Sequence, residues 1–249
     1  MFGINFNREE YTIPPVRQLK LFPEPKTLND IFLAEPLKSK LIGWFTNLDT
    51  LPSAVLLHGP AGVGKTSVPR ILIKTPGFVD YSDYTQVLES RLSDAKILYI
   101  DGSLACSSGV RTLEDALEVF HKQTYLAPRT ILVIDEAHDL TKRALSVLKA
   151  AAEHGFVKYE NSGCGGHIIF ISTKPQIADE QLMTRITSID MGHVNQLAVV
   201  RYAKKALRAA NIEWKIEPVR DLWLETKSPR KFFNELQSNI VDGKLILPA

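Results

Sequence analysis

Residues 59–66 read Gly-Pro-Ala-Gly-Val-Gly-Lys-Thr and directly follow the apolar run Ala54-Val55-Leu56-Leu57-His58. This order of buried strand, glycine-rich turn and helix start is typical of a phosphate-binding loop. Glycines let backbone N–H groups approach phosphate oxygens where a Cβ atom would clash, and the start of the following helix adds a partial positive charge. The sequence therefore predicts a site for nucleotide phosphates at this turn.

The residues of the loop have separate predicted roles. Lys65 is placed to reach the β- and γ-phosphates, and the hydroxyl of Thr66 is placed to bind Mg²⁺. The predicted nucleotide-binding residues of the loop are Gly59, Pro60, Ala61, Gly62, Val63, Gly64, Lys65, Thr66 and Ser67. The alternative is a glycine turn that binds nothing, and the agreement of strand, spacing and Lys-Thr pair favours binding.

Two adjacent carboxylates follow a second apolar run. Thr130-Ile131-Leu132-Val133-Ile134 leads into Asp135-Glu136, and ligands of open α/β sheets bind at the carboxyl ends of strands. Asp135 would join the Mg²⁺ shell, and Glu136 would polarise the attacking water. The alternative, a carboxylate pair that caps the next helix, loses weight beside a phosphate loop. The two motifs together predict binding and hydrolysis of ATP or GTP.

Apolar strands alternate with amphipathic helices over the first three quarters of the chain, which predicts a P-loop NTPase fold of the α/β class, with a parallel sheet covered by helices on both faces. The expected strands are 54–58, 97–100, 130–134, 167–171 and 188–191. The expected helices are a short one capped by Asn29 or Asp30, then 36–45, one after the phosphate loop that Pro69 shortens or kinks, 112–122 and 141–153.

The last part of the chain has a different pattern. Three helices are expected at 194–210, 217–226 and 229–239, with no further strands. We therefore predict an extended lead-in at 1–27, an α/β ATPase domain at 28–192 and a small all-α lid domain at 193–249.

Composition limits the class of protein. The chain is 45% hydrophobic and 23% charged with a net charge of +2, so no global charge demands a polyanionic partner. Its two cysteines, Cys106 and Cys164, are too few for a disulfide framework or a four-cysteine zinc site. Without a secretory signal or a long apolar run, we expect no membrane contact and a cytoplasmic location, or a nuclear one in a eukaryote, rather than secretion.

The letters Asp135-Glu136-Ala137-His138 also occur in two-lobed helicases. Those enzymes need a second comparable α/β lobe, and the chain after His138 is too short for one. We interpret His138 as a structural or coupling residue rather than as a catalyst.

Two further segments carry a resemblance to a known family. Lys26-Thr27-Leu28-Asn29-Asp30-Ile31 precedes Leu51-Pro52 and the phosphate loop, and residues 133–141 read Val-Ile-Asp-Glu-Ala-His-Asp-Leu-Thr. In this order the motifs resemble AAA+ ATPases, and in particular the clamp-loader branch with its replication factor C small subunits and bacterial loader ATPases. The resemblance spans roughly residues 26–240 and implies ATP with Mg²⁺, and like subunits in a ring or spiral on DNA.

The resemblance also implies roles for three residues. Thr173, after the fourth strand, matches sensor 1, which orients the attacking water or contacts the γ-phosphate, with Ser172 as its rival. Arg185, within Leu182-Met183-Thr184-Arg185-Ile186, matches an arginine finger that reaches the ATP of a neighbouring subunit. Arg230, after a cap at Ser228 and Pro229, matches sensor 2, which bridges lid and nucleotide. The adenine pocket is expected near Phe32 and the lid.

Contacts with DNA are expected at a helix start. Ser108, Gly109 and Arg111 stand where loader ATPases contact double-stranded or primer-template DNA, although an ordinary capped helix start is equally compatible. A basic stripe, formed by Arg201, Lys204, Lys205 and Arg208, is either a solvated helix face or a surface for a subunit or an acidic partner.

Three functions remain open from the sequence. The leading prediction is an ATP-hydrolysing subunit of clamp-loader type in DNA replication, with a sliding clamp as its client. Clamp-loader subunits continue into a helical collar, whereas this sequence ends at Ala249 after the lid, so a collar is expected from another subunit or is replaced by assembly on ATP and DNA. The alternative is an AAA+ matchmaker that forms filaments on DNA and recruits a helicase, a transposase or another recombination protein. The third, a module that binds nucleotide only for structure, disagrees with the intact Lys65, Thr66, Asp135 and Glu136.

Overall fold

A computed structural model describes residues 21–23, 25, 27–47, 50–72, 79–80, 95–101, 113, 117, 129–153, 165–177 and 179–247. Its strands are β1 (Ala54–His58), β2 (Val79–Asp80), β3 (Ala95–Asp101), β4 (Arg129–Asp135), β5 (Gly165–Ser172), β6 (Thr187–Asp190), β7 (Ile240–Val241) and β8 (Lys244–Leu245). Its α-helices are α1 (Glu35–Thr46), α2 (Ser67–Leu72), α3 (Lys142–Glu153), α4 (Glu180–Met183), α5 (Gln196–Ala209), α6 (Ile216–Thr226) and α7 (Pro229–Ser238), and short 3₁₀ helices span Leu28–Asp30 and Ala137–Asp139.

A six-stranded sheet in the order β2-β3-β4-β5-β1-β6 forms the centre of the fold, and all of its strand pairs are parallel. Strand β5 lies between β4 and β1, with His58 opposite Ser172 and Ile134 opposite Phe170. Because the strands are parallel, their carboxyl ends meet at one edge. The residues that follow β1, β4 and β5 are therefore neighbours in space.

Both faces of the sheet are covered by apolar side chains. Alternate residues of each strand point to opposite faces, so consecutive apolar residues supply two clusters. One cluster joins the sheet to α3 and includes Leu56, Leu132, Ile134, Phe170, Leu145 and Leu148. The other joins it to α1 and α2 and includes Val55, Leu57, Val133, Ile169, Leu41 and Val68. The predicted α/β fold, a parallel sheet flanked by helices, is confirmed.

Helices α5, α6 and α7 have a core of their own. Its buried members are Val199, Ala203, Leu207, Val219, Trp223, Phe232 and Leu236. Leu21 and Phe22, from the predicted lead-in, pack against this core, and the Leu21 N–H donates to Gln237 Oε1 at 2.9 Å. The domain boundaries at 27/28 and 192/193 stay predictions.

Several local expectations need correction. Thr27, rather than Asn29 or Asp30, begins the short helix, and its N–H donates to Asp30 Oδ2 at 2.8 Å. The expectation of no strands after residue 193 is wrong, because β7 and β8 form an antiparallel hairpin. Its turn is Asp242-Gly243, with φ of 48° and 75°, and Asp-Gly is a typical pair for a two-residue hairpin turn. Strand β2 and helix α4 were also not predicted.

Other expectations lie wholly or partly outside the described residues. These include Ser108, Gly109, Arg111, Cys106, Cys164 and most of the helix expected at 112–122, of which Leu113 and Leu117 are helical and buried. Helix α2 is described only to Leu72, so the effect of Pro69 on its length stays a prediction. None of the described helices combines the length and apolar character that a membrane span requires.

Candidate nucleotide-binding site

The phosphate loop needs its glycines for two reasons. Gly59, Gly62 and Gly64 have φ of 143°, 83° and 97°, a region that residues with a Cβ atom rarely adopt. A Cβ on Gly62 would also lie 2.6 Å from Arg230 Cβ and 2.7 Å from Ser228 Oγ. Helix α7 thus comes so close to the loop that the second glycine is required by packing as well as by conformation.

Lys65 is held by the loop that it belongs to. Its Nζ donates to the carbonyl oxygens of Gly59 and Pro60, both at 2.8 Å, and only 7% of the residue is exposed. Burial lowers the pKa of the Lys65 amine, while the negative charges of Glu136 and Asp135 act to raise it and the positive charge of Arg230 acts to lower it. The amine therefore lies in the field of the predicted metal ligand Asp135 and of the predicted catalytic carboxylate Glu136.

The two predicted Mg²⁺ ligands contact each other. Thr66 Oγ1 donates to Asp135 Oδ2 at 2.9 Å, and the Glu136 N–H donates to Asp135 Oδ1 at 3.0 Å. Asp135 is 8% exposed, so both of its oxygens are fixed in a buried position. The sheet register accounts for this meeting, since Thr66 follows β1 by way of the loop and Asp135 ends β4.

This pair of oxygen ligands fits Mg²⁺. Mg²⁺ prefers oxygen and usually takes one or two protein ligands, with substrate phosphates and water completing its octahedron. Among the described residues, no group of three or more His, Cys, Asp or Glu side chains forms a metal site. A hydroxyl and a carboxylate beside a phosphate loop are therefore a suitable partial shell for a metal ion that arrives with a nucleotide.

Glu136 and Thr173 lie on either side of one imidazole ring. Glu136 adopts the left-handed backbone conformation, with φ of 49° and ψ of 40°. Its Oε2 lies 3.4 Å from His138 Nδ1, and His138 Nε2 lies 3.3 Å from Thr173 Oγ1. Ser172 is fully buried and its Oγ accepts the Lys174 N–H at 2.9 Å. The geometry thus favours Thr173 over Ser172 as the polar group that acts with Glu136.

Arg185 follows a short helix that an ion pair holds in place. Asp179 accepts the Leu182 N–H at 2.9 Å at the start of α4 and pairs with Lys149 Nζ at 2.8 Å. The hydrogen bond from Lys149 lowers the pKa of the Asp179 carboxyl. Arg185 is half-buried and is not among the described residues that line the nucleotide cleft. The role of Arg185 as an arginine finger stays a prediction.

A cleft of about 790 Å³ extends from the phosphate loop to the helices of the C-terminal part. Its polar end includes Gly62, Gly64, Thr66, Asp135, Glu136 and Arg230, and its other end includes Phe22, Pro23, Pro25, Phe32, Tyr202, Phe233 and Asn234. The rings of Phe22 and Phe233 stack at 4.7 Å, and Phe32 meets Tyr202 edge to face at 5.5 Å. Of these aromatic residues, only Phe32 is predicted from the sequence to lie near the adenine pocket.

The start of α7 contacts the phosphate loop directly. Ser228 occupies the predicted cap position, but its hydroxyl donates to the Ala61 carbonyl at 3.0 Å and makes no side-chain cap. Pro229 begins the helix as predicted, and Arg230 is exposed at the mouth of the cleft. This contact between the two parts of the chain had no local signature in the sequence.

Comparisons with known proteins agree with this fold and site. The model of the family described as "ATPase family associated with various cellular activities (AAA)" matches residues 55–191. No curated protein matches the chain. Among solved structures, the RuvB Holliday junction branch migration motor of Thermotoga maritima superimposes with a TM-score of 0.59 at 20% identity, over 88% of this chain and 65% of that one. A point variant of the same RuvB gives a TM-score of 0.58 at 18% identity with the same coverage. The identity is low enough that the structural likeness shows the fold alone, and this chain spans less than two thirds of the RuvB length.

The close approach at Gly62 generates a prediction about nucleotide affinity. Replacing Gly62 by Ala adds a Cβ atom that meets Arg230 and Ser228 at a backbone conformation unfavourable for alanine. We expect the affinity for ATP to fall by about tenfold or more, since strain of this kind is worth about 1–3 kcal/mol. Isothermal titration calorimetry measures the affinity.

Gly43→Ala is the matched control. Gly43 lies within α1, and a Cβ there has nothing within 4 Å. This variant should bind ATP like the original protein, and alanine in a helix stabilises it by roughly 1 kcal/mol. Equal ATP affinities of the Gly62→Ala and original proteins would contradict the packing argument.

Proposed function

The chain belongs to the AAA family of ATPases, and we propose that it uses ATP hydrolysis to act on DNA as one subunit of an oligomer of clamp-loader type. The observation that carries the nucleotide chemistry is the hydrogen bond between Thr66 and Asp135, with Glu136 next in the chain. It joins a phosphate loop, a metal-binding carboxylate and a second carboxylate beside the same cleft.

The phosphate loop binds the triphosphate in this proposal. Backbone N–H groups of residues 61–66 surround the phosphate oxygens, and Lys65 neutralises the β- and γ-phosphates. Thr66 and Asp135 would hold Mg²⁺, which would supply positive charge against the negative charge that develops during transfer. Arg230, at the start of the helix that approaches Gly62, adds a second cation to the same end of the cleft.

Glu136 acts as the base for the attacking water. Its side chain is 46% exposed, so water reaches the carboxylate, while the adjacent Asp135 stays buried with its metal-binding oxygens. Glu136 accepts a proton as the water oxygen bonds to the γ-phosphorus and the bond to the β-phosphate oxygen breaks, which yields ADP and phosphate. Thr173 helps to orient the water.

The aromatic end of the cleft accepts the base of the nucleotide. Phe22, Phe32, Tyr202 and Phe233 offer ring faces and edges to a purine, and burial raises the pKa of the Tyr202 hydroxyl, which keeps it neutral. All four residues lie outside the segment that the AAA family model matches. The C-terminal helices therefore act as a lid that senses which nucleotide is present.

The assignment to DNA and to an oligomer depends on two arguments. Residues 182–186, which include Arg185, resemble the loader motif whose arginine finger serves the ATP site of a neighbouring subunit. The similar RuvB structure is that of a Holliday junction branch migration motor, so the same fold works on DNA in another protein. The clamp-loader role itself follows from the sequence motifs at residues 26–31 and 182–186.

The role of Glu136 generates a prediction about turnover. Glu136→Gln keeps the size of the side chain but removes its capacity to accept a proton. Hydrolysis should fall by about 10²–10⁴-fold, the usual contribution of a positioned acid or base, while ATP affinity stays close to that of the original protein. Single-turnover hydrolysis and equilibrium binding of ATP measure the two quantities.

Glu225→Gln is the control for the same chemical change at an exposed position of α6. It should hydrolyse ATP at the original rate. Turnover by Glu136→Gln within about twofold of that rate would remove Glu136 as the base.

The role of Arg185 predicts complementation between two inactive variants. Arg185→Ala keeps an intact nucleotide site but lacks the finger, and Lys65→Ala lacks the site but keeps the finger. In an equal mixture about one quarter of head-to-tail interfaces combine the intact site with the intact finger. Activity should therefore reappear on mixing, as measured by phosphate release at several ratios.

Arg220→Ala removes an exposed arginine of α6, which lies 3.7 Å from Asp221. It should hydrolyse ATP when it is alone. Its mixture with Lys65→Ala should show only the activity expected from dilution of the active protein. If the mixture of Arg185→Ala and Lys65→Ala is inactive at every ratio, Arg185 does not act across an interface.

The DNA assignment predicts an assembly visible by electron microscopy with a non-hydrolysable ATP analogue and primer-template DNA. A ring or short spiral around DNA is expected, together with ATPase stimulation by primer-template DNA and a sliding clamp, and binding that weakens as salt rises. An open-ended filament on plain duplex would indicate the DNA-filament matchmaker instead, and absence of any DNA association would contradict both.

A further inference from the structure

We propose that His138 is a positioning residue that links the Glu136 carboxylate to the Thr173 hydroxyl, so that both groups present hydrogen-bond acceptors to the attacking water. The inference rests on the proposed roles of Glu136 and Thr173 and deepens them. It assigns a function to the histidine that follows the two carboxylates.

The ring of His138 spans two strand ends. It lies in the 3₁₀ helix Ala137–Asp139 after β4, whereas Thr173 follows β5. Its Nδ1 is 3.4 Å from Glu136 Oε2 and its Nε2 is 3.3 Å from Thr173 Oγ1, and the side chain is 14% exposed. The buried ring therefore touches both groups that are proposed to handle water.

The Nδ1 atom of His138 is a buried polar atom without a satisfied hydrogen bond in this arrangement. It is buried and has no hydrogen-bond partner of acceptable geometry among the described residues, although Glu136 Oε2 is near. Buried polar atoms of proteins are nearly always paired, so an exception calls for an explanation. The Glu136 side chain is 46% exposed, and a modest rotation about its side-chain bonds would complete the contact.

The chemistry of the neighbours selects one tautomer of a neutral ring. A carboxylate only accepts hydrogen bonds, so the proton belongs on Nδ1, facing Glu136. The opposite tautomer would turn the Nδ1 lone pair towards that carboxylate, which is unfavourable. The exposed Asp139 carboxylate, 3.7 Å from Nε2, is the group that would favour the opposite tautomer, and it lies farther from the ring than Glu136 does.

This tautomer decides what Thr173 does. With the proton on Nδ1, Nε2 accepts the Thr173 hydroxyl hydrogen, and the hydroxyl oxygen then has only lone pairs left for a water molecule. Two acceptors, the Glu136 carboxylate and Thr173 Oγ1, face the two hydrogens of a water molecule, whose own lone pair is left to attack phosphorus. Thr173 accordingly orients water and does not donate to the γ-phosphate.

The test separates rate from binding. His138→Ala should lower the single-turnover rate of ATP hydrolysis by about tenfold or more, while the dissociation constant for Mg²⁺-ATP changes by less than about twofold. His138→Asn, whose amide nitrogen occupies nearly the place of Nδ1, should recover part of the loss. A rate for His138→Ala within twofold of the original, or a loss of binding equal to the loss of rate, would overturn the proposal.

A double-mutant cycle tests the link itself. Thr173→Val removes the hydroxyl at nearly constant volume. The hydrolysis rate of the variant with both changes should lie within about twofold of the rate of the slower single variant. If the fold-losses in rate of the two single variants multiply in the double variant, the link is overturned. If His138→Ala does not fold, as judged by its melting transition, the cycle with His138→Asn gives the same two outcomes.

His193→Ala is the matched control. His193 Nε2 lies 3.7 Å from Asp190 Oδ2, and its side chain is 82% exposed, so this variant loses a histidine–carboxylate contact that the cleft does not use. Its turnover should be unchanged.

Failure of the proposed function can be distinguished from failure of this inference. If Glu136→Gln stays active, the role of Glu136 as the base and this inference are both overturned. Inactive Glu136→Gln with fully active His138→Ala would overturn this inference alone.

Discussion

The site depends on the parallel register of β1, β5 and β4. Thr66 and Asp135 are separated by 69 positions in the chain, yet their side chains meet at 2.9 Å because the strands that precede them end at the same edge of the sheet. A slip of one residue in either strand would turn its apolar residues to the opposite face. The two apolar clusters on the faces of the sheet therefore hold Thr66 and Asp135 in contact.

A second constraint comes from the C-terminal helices. The Ser228 hydroxyl donates to Ala61, and the backbone at Gly62 leaves no room for a Cβ beside Arg230. The same helix supplies Phe233 to the aromatic end of the cleft. Helix α7 contacts the phosphate loop and also lines the aromatic end of the cleft. A change at either end of a bound nucleotide would therefore affect the position of the whole helix. This mechanical connection is what a lid requires.

The local parts of the fold and site were predictable from the sequence, because each is written in consecutive residues. The glycine loop, the Asp-Glu pair after an apolar run and the main helices and strands are of this kind. The aromatic end was not, since it joins Phe22 to Phe233 through tertiary packing alone. The residues around Ser228 predict a helix cap, whereas its hydroxyl donates to Ala61, which lies 167 positions away in the chain. The short hairpin at β7 and β8 was missed although Asp242-Gly243 marks its turn, because strands of two residues carry no periodicity.

The contacts of Lys65 explain how the loop keeps its shape while presenting a charge to the ligand. An ammonium group has three N–H donors, and two of them bond to Gly59 and Pro60. In the proposed site the third would bond to a phosphate oxygen, so that the lysine would bind a nucleotide while it keeps both bonds to the loop. Burial lowers the pKa of this amine, and the charges of Glu136 and Asp135 oppose that effect. The carboxylates proposed to bind metal and to activate water thus also favour the protonated form of the lysine proposed to bind phosphate, so the three proposed roles depend on one another electrostatically.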